Sequence, residues 1–191
     1  MMLTERGMIQ IKAIQIIALG NEIMSDDGAG PFLLKNLKKM NWPCHVTFHD
    51  AGISSFECVQ LLKSDEPIFI LDTLSTGRPP GTVIKINAAL LELTLNSFSL
   101  HDLHLLHLAR NFCPHRLEQI FIYGIEPLSL QPGIKLSHPV RQGLILLRRI
   151  VILDILRYCN AGLTKISLSQ KAPYPNKFIS QNSPPSKIPL P

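Results

Sequence analysis

Residues 16–31 read IIALGNEIMSDDGAGP. An apolar run, Ile16 to Leu19, meets Gly20-Asn21, a pair that punctuates the end of a strand. A short loop then delivers two adjacent carboxylates, Asp26 and Asp27, ahead of a glycine-rich entry to a helix. Pro31 suits the first turn of that helix, where its missing N–H leaves no bond unmade. Strand, tight turn and helix in this order make the opening unit of an open α/β sheet. Acidic side chains at the carboxyl end of such a strand stand where these sheets place their chemistry.

Outward from this unit, apolar runs predict strands over residues 12–19, 45–49, 67–71, 82–86 and 119–123. Helical periodicity predicts helices over 30–40, 54–64, 100–112 and 138–158, with an ordered loop over 127–137. PIFIL (67–71) is wholly apolar, as a central parallel strand buried on both faces must be. The link from there to TVIKI (82–86) is too short for a parallel crossover, so that strand is expected to run antiparallel to 67–71. The alternation of elements implies a three-layer α/β/α sandwich on a mostly parallel sheet of about five strands with one antiparallel member. Residues 1–161 form the expected domain. Residues 162–191, rich in Pro, Ser and Lys, read as a flexible tail because they hold too few large apolar side chains to offset ordering entropy.

The net charge of +5 carries no nucleic-acid signature, since the basic residues sit on one helix and in the tail without interleaved aromatics. The apolar stretch 144–156 is interrupted by Arg148, Arg149 and Asp154, which excludes a membrane span. Residues 1–10 carry Glu5 and Arg6 and lack the apolar core of a secretory leader, pointing to the cytoplasm. Cys44, Cys58, Cys113 and Cys159 are scattered without CxxC spacing, so a zinc site is not expected and reduced thiols are, with Cys58 and Cys113 as core thiols. There is no G-x-G-x-x-G, no P-loop and no G-x-S-x-G elbow.

Three features remain for chemistry. Of the pair Asp26 and Asp27, one can cap the following helix, which the helix dipole favours, but only one side chain can occupy the cap. Asp72 follows the central strand directly and lies at the same sheet edge, unless it merely closes an Asx turn with Leu74 or Ser75. In LHDLHLLH, His101 and His104 share a helix face three residues apart. His101, at the helix start, is the better ligand. One imidazole with carboxylates suits zinc, nickel or iron.

These segments resemble the nickel-dependent hydrogenase maturation endopeptidases. ALGNEIMSDDGAGP is similar to their opening loop, IFILDTL with PPGTVIKI to their central strand and turn, SLHDLHL to their Ser-x-His motif, and GIEPLSLQPGIKLSHPV to a further loop and helix start. The resemblance implies a phosphorylase/hydrolase-like sandwich acting as an endopeptidase on a nickel-iron hydrogenase large-subunit precursor, from which it removes a C-terminal extension. It places Asp27, Asp72 and His101 as the metal-engaging and catalytic residues. Nickel would be carried by the substrate, the enzyme itself being metal-free and monomeric, and Asp26 is left as the capping member of the pair. Two departures bear on substrate choice. Asp50-Ala51-Gly52-Ile53 stands where the family has Asp-Gly-Gly-Thr, with Asp50 and Gly52 as candidate substrate-loop residues. His104 stands where a glycine is common. The altered loop and the basic tail also admit a non-catalytic reading, a metal-sensing assembly chaperone for hydrogenase on the same fold.

Overall fold

The computed structural model describes residues 13–53, 58–62, 64–93, 111 and 113–160. The helix expected over 100–112, with His101 and His104, lies outside them except for residue 111, as do residues 1–12 and the tail from 162. Strand β1 (Ala13–Leu19) is followed by a 3-10 turn (Ser25–Gly28) and helix α1 (Ala29–Leu37). Next come β2 (His45–Gly52), a short α2 (Cys58–Leu62), β3 (Ile68–Thr73) and β4 (Val83–Asn87). Two 3-10 segments (Ala88–Leu93 and Pro114–Gln119), β5 (Ile120–Ile125) and the long α3 (His138–Asn160) complete the order.

The five strands form one sheet in the order β2-β1-β3-β5-β4. β1 pairs in parallel with β2 and β3, β3 pairs in parallel with β5, and β4 runs antiparallel to β5. The antiparallel strand expected from the short connection is therefore present, but its neighbour is β5 and not β3. Both edges of β3 are already taken by β1 and β5. β2 also outruns its expected end at His49, because its pairing with β1 continues through Ala18↔Asp50 and Leu19↔Gly52 across a local irregularity.

Period-two alternation divides the core. Ile14, Ile16, Ala18, Phe69, Leu71, Tyr123 and Ile125 point to one face, where Leu33, Leu34 and Leu37 of α1 and Val140, Leu144, Leu147, Val151 and Ile155 of α3 cover them. Ile17, Ile68, Ile70, Ile84, Ile120 and Ile122 point to the other, against Leu62, Leu74, Ala88 and Cys113. Gly30 sets α1 against the sheet: a Cβ there would collide with the carbonyl oxygens of Leu19 and Leu71, the ends of β1 and β3.

α3 starts at the carboxyl edge of the sheet and runs back to the opposite one. There Cys159 forms a disulfide with Cys44, Cα to Cα 5.4 Å. This corrects the expectation of four reduced thiols. Spacing along the chain hid the pair because the two cysteines are 115 residues apart. Cys113 is a free, buried thiol as expected. In the second half of α3, buried Asp154 binds Lys85 Nζ at 2.6 Å and accepts a hydrogen bond from Tyr123 Oη at 3.0 Å, tying the helix to β4 and β5.

Candidate active site

The loop after β1 is built on two left-handed residues. Gly20 has φ 122°, and a Cβ on it would collide with the carbonyl oxygen of Asp27. Only glycine serves there, for conformation and for space. Ser25 has φ 50°, a conformation that costs an L residue roughly 1–2 kcal/mol and persists where neighbours enforce it. The neighbours are visible. Ser25 N–H donates to Gly133 O at 2.7 Å, and Gly133 N–H donates to Ile23 O at 2.9 Å. Segment 127–137 thus lies alongside the aspartate turn.

Asp26 is fully buried and does not cap the helix that follows it. Neither the 3-10 turn nor α1 has a side-chain cap. Its Oδ2 accepts the N–H groups of Leu128 (2.9 Å) and Ser129 (3.0 Å), and its Oδ1 that of Ser137 (2.6 Å), the residue before α3. The capping role expected for Asp26 is therefore corrected to a tertiary one. A cap contributes about 1 kcal/mol, whereas burying a carboxylate costs several. Three converging N–H donors offset that cost where one would not.

Asp27 is half-buried, and its Oδ2 accepts the Asn21 N–H at 2.7 Å, folding the carboxylate back over the Gly20-Asn21 turn. Asp72, 9% exposed, lies in the last turn-ward pair of β3, and its Oδ1 accepts the Thr73 N–H at 2.7 Å. The end of β3 is joined directly to the aspartate turn: Thr73 Oγ1 donates to Asp26 O at 3.1 Å. Asp27 and Asp72 thus occupy one edge of the sheet, as expected. Asp50 and Gly52 line a cavity of about 350 Å³ together with Gly20, Asn21, Glu22, Pro31 and Ile53. Gly20 N–H donates to Gly52 O at 2.9 Å, which joins that cavity to the turn holding Asp27.

Sequence reasoning passed over Glu126. It is buried at the end of β5, and its carboxylate accepts the N–H groups of Thr76 (2.9 Å) and Gly77 (2.9 Å) and the Thr76 hydroxyl, fastening the loop that follows Asp72. The signal was the one that marked Asp72: an acidic residue directly after an apolar strand. His49, on β2, has its pKa lowered by burial and then by the Lys38 charge, against an opposing pull from Glu66. Among the described residues no group of three or more His, Cys, Asp or Glu is gathered as a metal site. The third expected ligand, His101, is outside those residues. Nor is any described helix long and apolar enough to cross a membrane.

With this geometry in view, comparison with known proteins is specific. The profile of the hydrogenase maturation protease family matches residues 31–156, a span that includes Asp72 and His101 and begins four residues after Asp27. A Methanocaldococcus jannaschii protein named for the same family is 34% identical over 97 residues, covering 49% of this chain and 63% of its own length. The hydrogenase expression/formation protein HupD of Rhizobium leguminosarum is 26% identical over 134 residues, covering 67% of this chain and 66% of its own. The chain thus spans just under two thirds of these relatives. The Escherichia coli hydrogenase-maturating endopeptidase HybD shares the fold, with TM-score 0.63, 21% identity and coverage of 75% and 91% of the two chains. HybD from Thermococcus kodakarensis gives TM-score 0.60, 25% identity and coverage of 75% and 99%. The chain belongs to the hydrogenase maturation protease family.

Proposed function

We propose that this protein is an endopeptidase that removes the C-terminal extension of a nickel-loaded hydrogenase large-subunit precursor. Substrate-bound nickel is engaged by Asp27, Asp72 and His101. The observation that carries the reading is the arrival of Asp27 and Asp72 at one edge of the sheet, braced through Asp26 and Thr73, in a chain of this family. Two carboxylates and an imidazole are oxygen and nitrogen donors that suit nickel. A metal held there polarises a carbonyl or lowers the pKa of a bound water. Nickel arrives with the precursor, so its presence gates cleavage. Asp50 and Gly52, at the adjoining cavity, contact the substrate chain. The enzyme works as a cytoplasmic monomer.

Incubating the protein with nickel-loaded precursor should shorten the precursor at its C-terminus, read by intact mass. Asp27→Asn, Asp72→Asn and His101→Ala should each abolish the shortening. Full processing by all three variants would falsify the site.

A second reading, a non-catalytic metal-sensing assembly chaperone, draws on Ala51 and Ile53. They alter the loop beside the cavity and leave Ile53 82% exposed. It requires that the precursor be retained in a pull-down with its mass unchanged.

A further inference from the structure

We infer that Asp26 and Thr73 are positioning residues that set the spacing of Asp27 and Asp72. This rests on the proposed function. Asp26 immediately precedes Asp27, and Thr73 immediately follows Asp72, so the bond from Thr73 Oγ1 to Asp26 O (3.1 Å) is the direct brace between the two turns. Asp26 fixes its end of the brace through every polar group it has. Its N–H donates to Ser129 O at 3.1 Å, its carbonyl takes the Thr73 hydroxyl, and its carboxylate oxygens take the amides of Leu128, Ser129 and Ser137. All three carboxylate partners are donors, so the site needs a group that only accepts, which an ionised carboxylate is. An asparagine there must turn its NH2 toward at least one N–H group. Thr73 is itself 3% exposed, so its hydroxyl has no water to fall back on. The left-handed Ser25 shows the same dependence: its backbone is enforced by the segment that Asp26 binds.

A brace of this kind acts on geometry at the reacting bond and not on capture of a large protein substrate. Misplacing a reacting group by about 1 Å costs on the order of a hundredfold in rate. Asp26→Asn should therefore lower kcat for precursor trimming by roughly tenfold or more, with KM little changed. Thr73→Val keeps shape and burial while removing the hydroxyl, and should lower kcat in the same sense by a smaller factor. Hydrogen exchange should accelerate at the amides of Leu128, Ser129 and Ser137 in Asp26→Asn. Both variants are assayed well below their melting temperatures, beside Asp27→Asn.

Wild-type kcat in both variants, with Asp27→Asn inactive, overturns the positioning role and leaves the proposed function standing. A loss expressed wholly in KM overturns it too. If Asp27→Asn trims normally, the assignment of Asp27 fails and the brace with it, while the endopeptidase activity stands. Should Asp26→Asn not fold, Thr73→Val decides alone: unchanged kcat overturns the proposal.

Discussion

Cys44 and Cys159, 115 residues apart in the chain, are disulfide-bonded with their Cα atoms 5.4 Å apart. The bond fastens the start of β2 to the last turn of α3. The opposite ends of these two elements, Gly52 and Ser137, are tied to the turns that hold Asp27 and Asp26.

Reduction should therefore weaken the fold. A disulfide typically raises stability by about 2–4 kcal/mol, largely by restricting the unfolded chain, and a long loop stands at or above the upper end of that range. Thermal unfolding with and without reductant should show the difference, and Cys44→Ser/Cys159→Ser should match the reduced protein. Thiol titration of the denatured, unreduced chain should find two free thiols against four after reduction. Four before reduction would remove the bond.

Asp154 should be the most costly polar residue to truncate on α3. It is 4% exposed and bonded to Lys85, Tyr123 and Arg157. Truncating it leaves the buried Tyr123 hydroxyl unpaired and Lys85, which water reaches, without its partner, at about 1–3 kcal/mol. Asp154→Ala should lose that much in denaturant unfolding. Asp154→Ala/Lys85→Met should recover part of it, since the stranded cation goes as well.

Alkaline pH should destabilise the protein through two tyrosines. Burial, then Asp154, raises the pKa of both Tyr123 and Tyr158 above the ordinary value of 10.0. As pH passes 10.0 the unfolded chain loses these protons while the folded one keeps them. The unfolded state then binds fewer protons, and stability falls as pH rises. Stability between pH 8 and 9, below that window, should be flat with respect to these groups. Tyrosinate absorbance should show them ionising only with unfolding; free titration in the native protein would contradict this.

Glu126 should matter for the loop after Asp72. Glu126→Ala removes the acceptor of the half-buried Thr76 and exposed Gly77 amides, at about 0.5–1.5 kcal/mol for each hydrogen bond lost, since water reaches both. Glu126→Gln keeps one acceptor oxygen and should cost less. Calorimetry orders the variants, and equal melting temperatures for wild type and Glu126→Ala would show that the loop does not depend on the carboxylate.

Much of this architecture is local and was therefore legible. The wholly apolar β3 announces a central strand, Gly20-Asn21 the end of β1, and Pro31 the first turn of α1, because backbone conformation and burial leave their mark within a few residues. Placing Asp27 and Asp72 at one edge followed from strand ends alone. What sequence misjudged was each group whose partner is remote. Asp26 reads as a helix cap from its neighbours, yet its carboxylate is satisfied more than 100 positions away at Leu128, Ser129 and Ser137. Cys44 gives no sign of Cys159, and β4 gives no sign that β5 would insert between it and β3. The opening stretch by itself determined a strand, a tight turn and two carboxylates at a sheet edge. Only the tertiary structure decided what Asp26 binds. Burying Asp26 takes three amides, which a distant loop supplies, whereas Asp27 is half-buried with its Oδ2 on the Asn21 N–H.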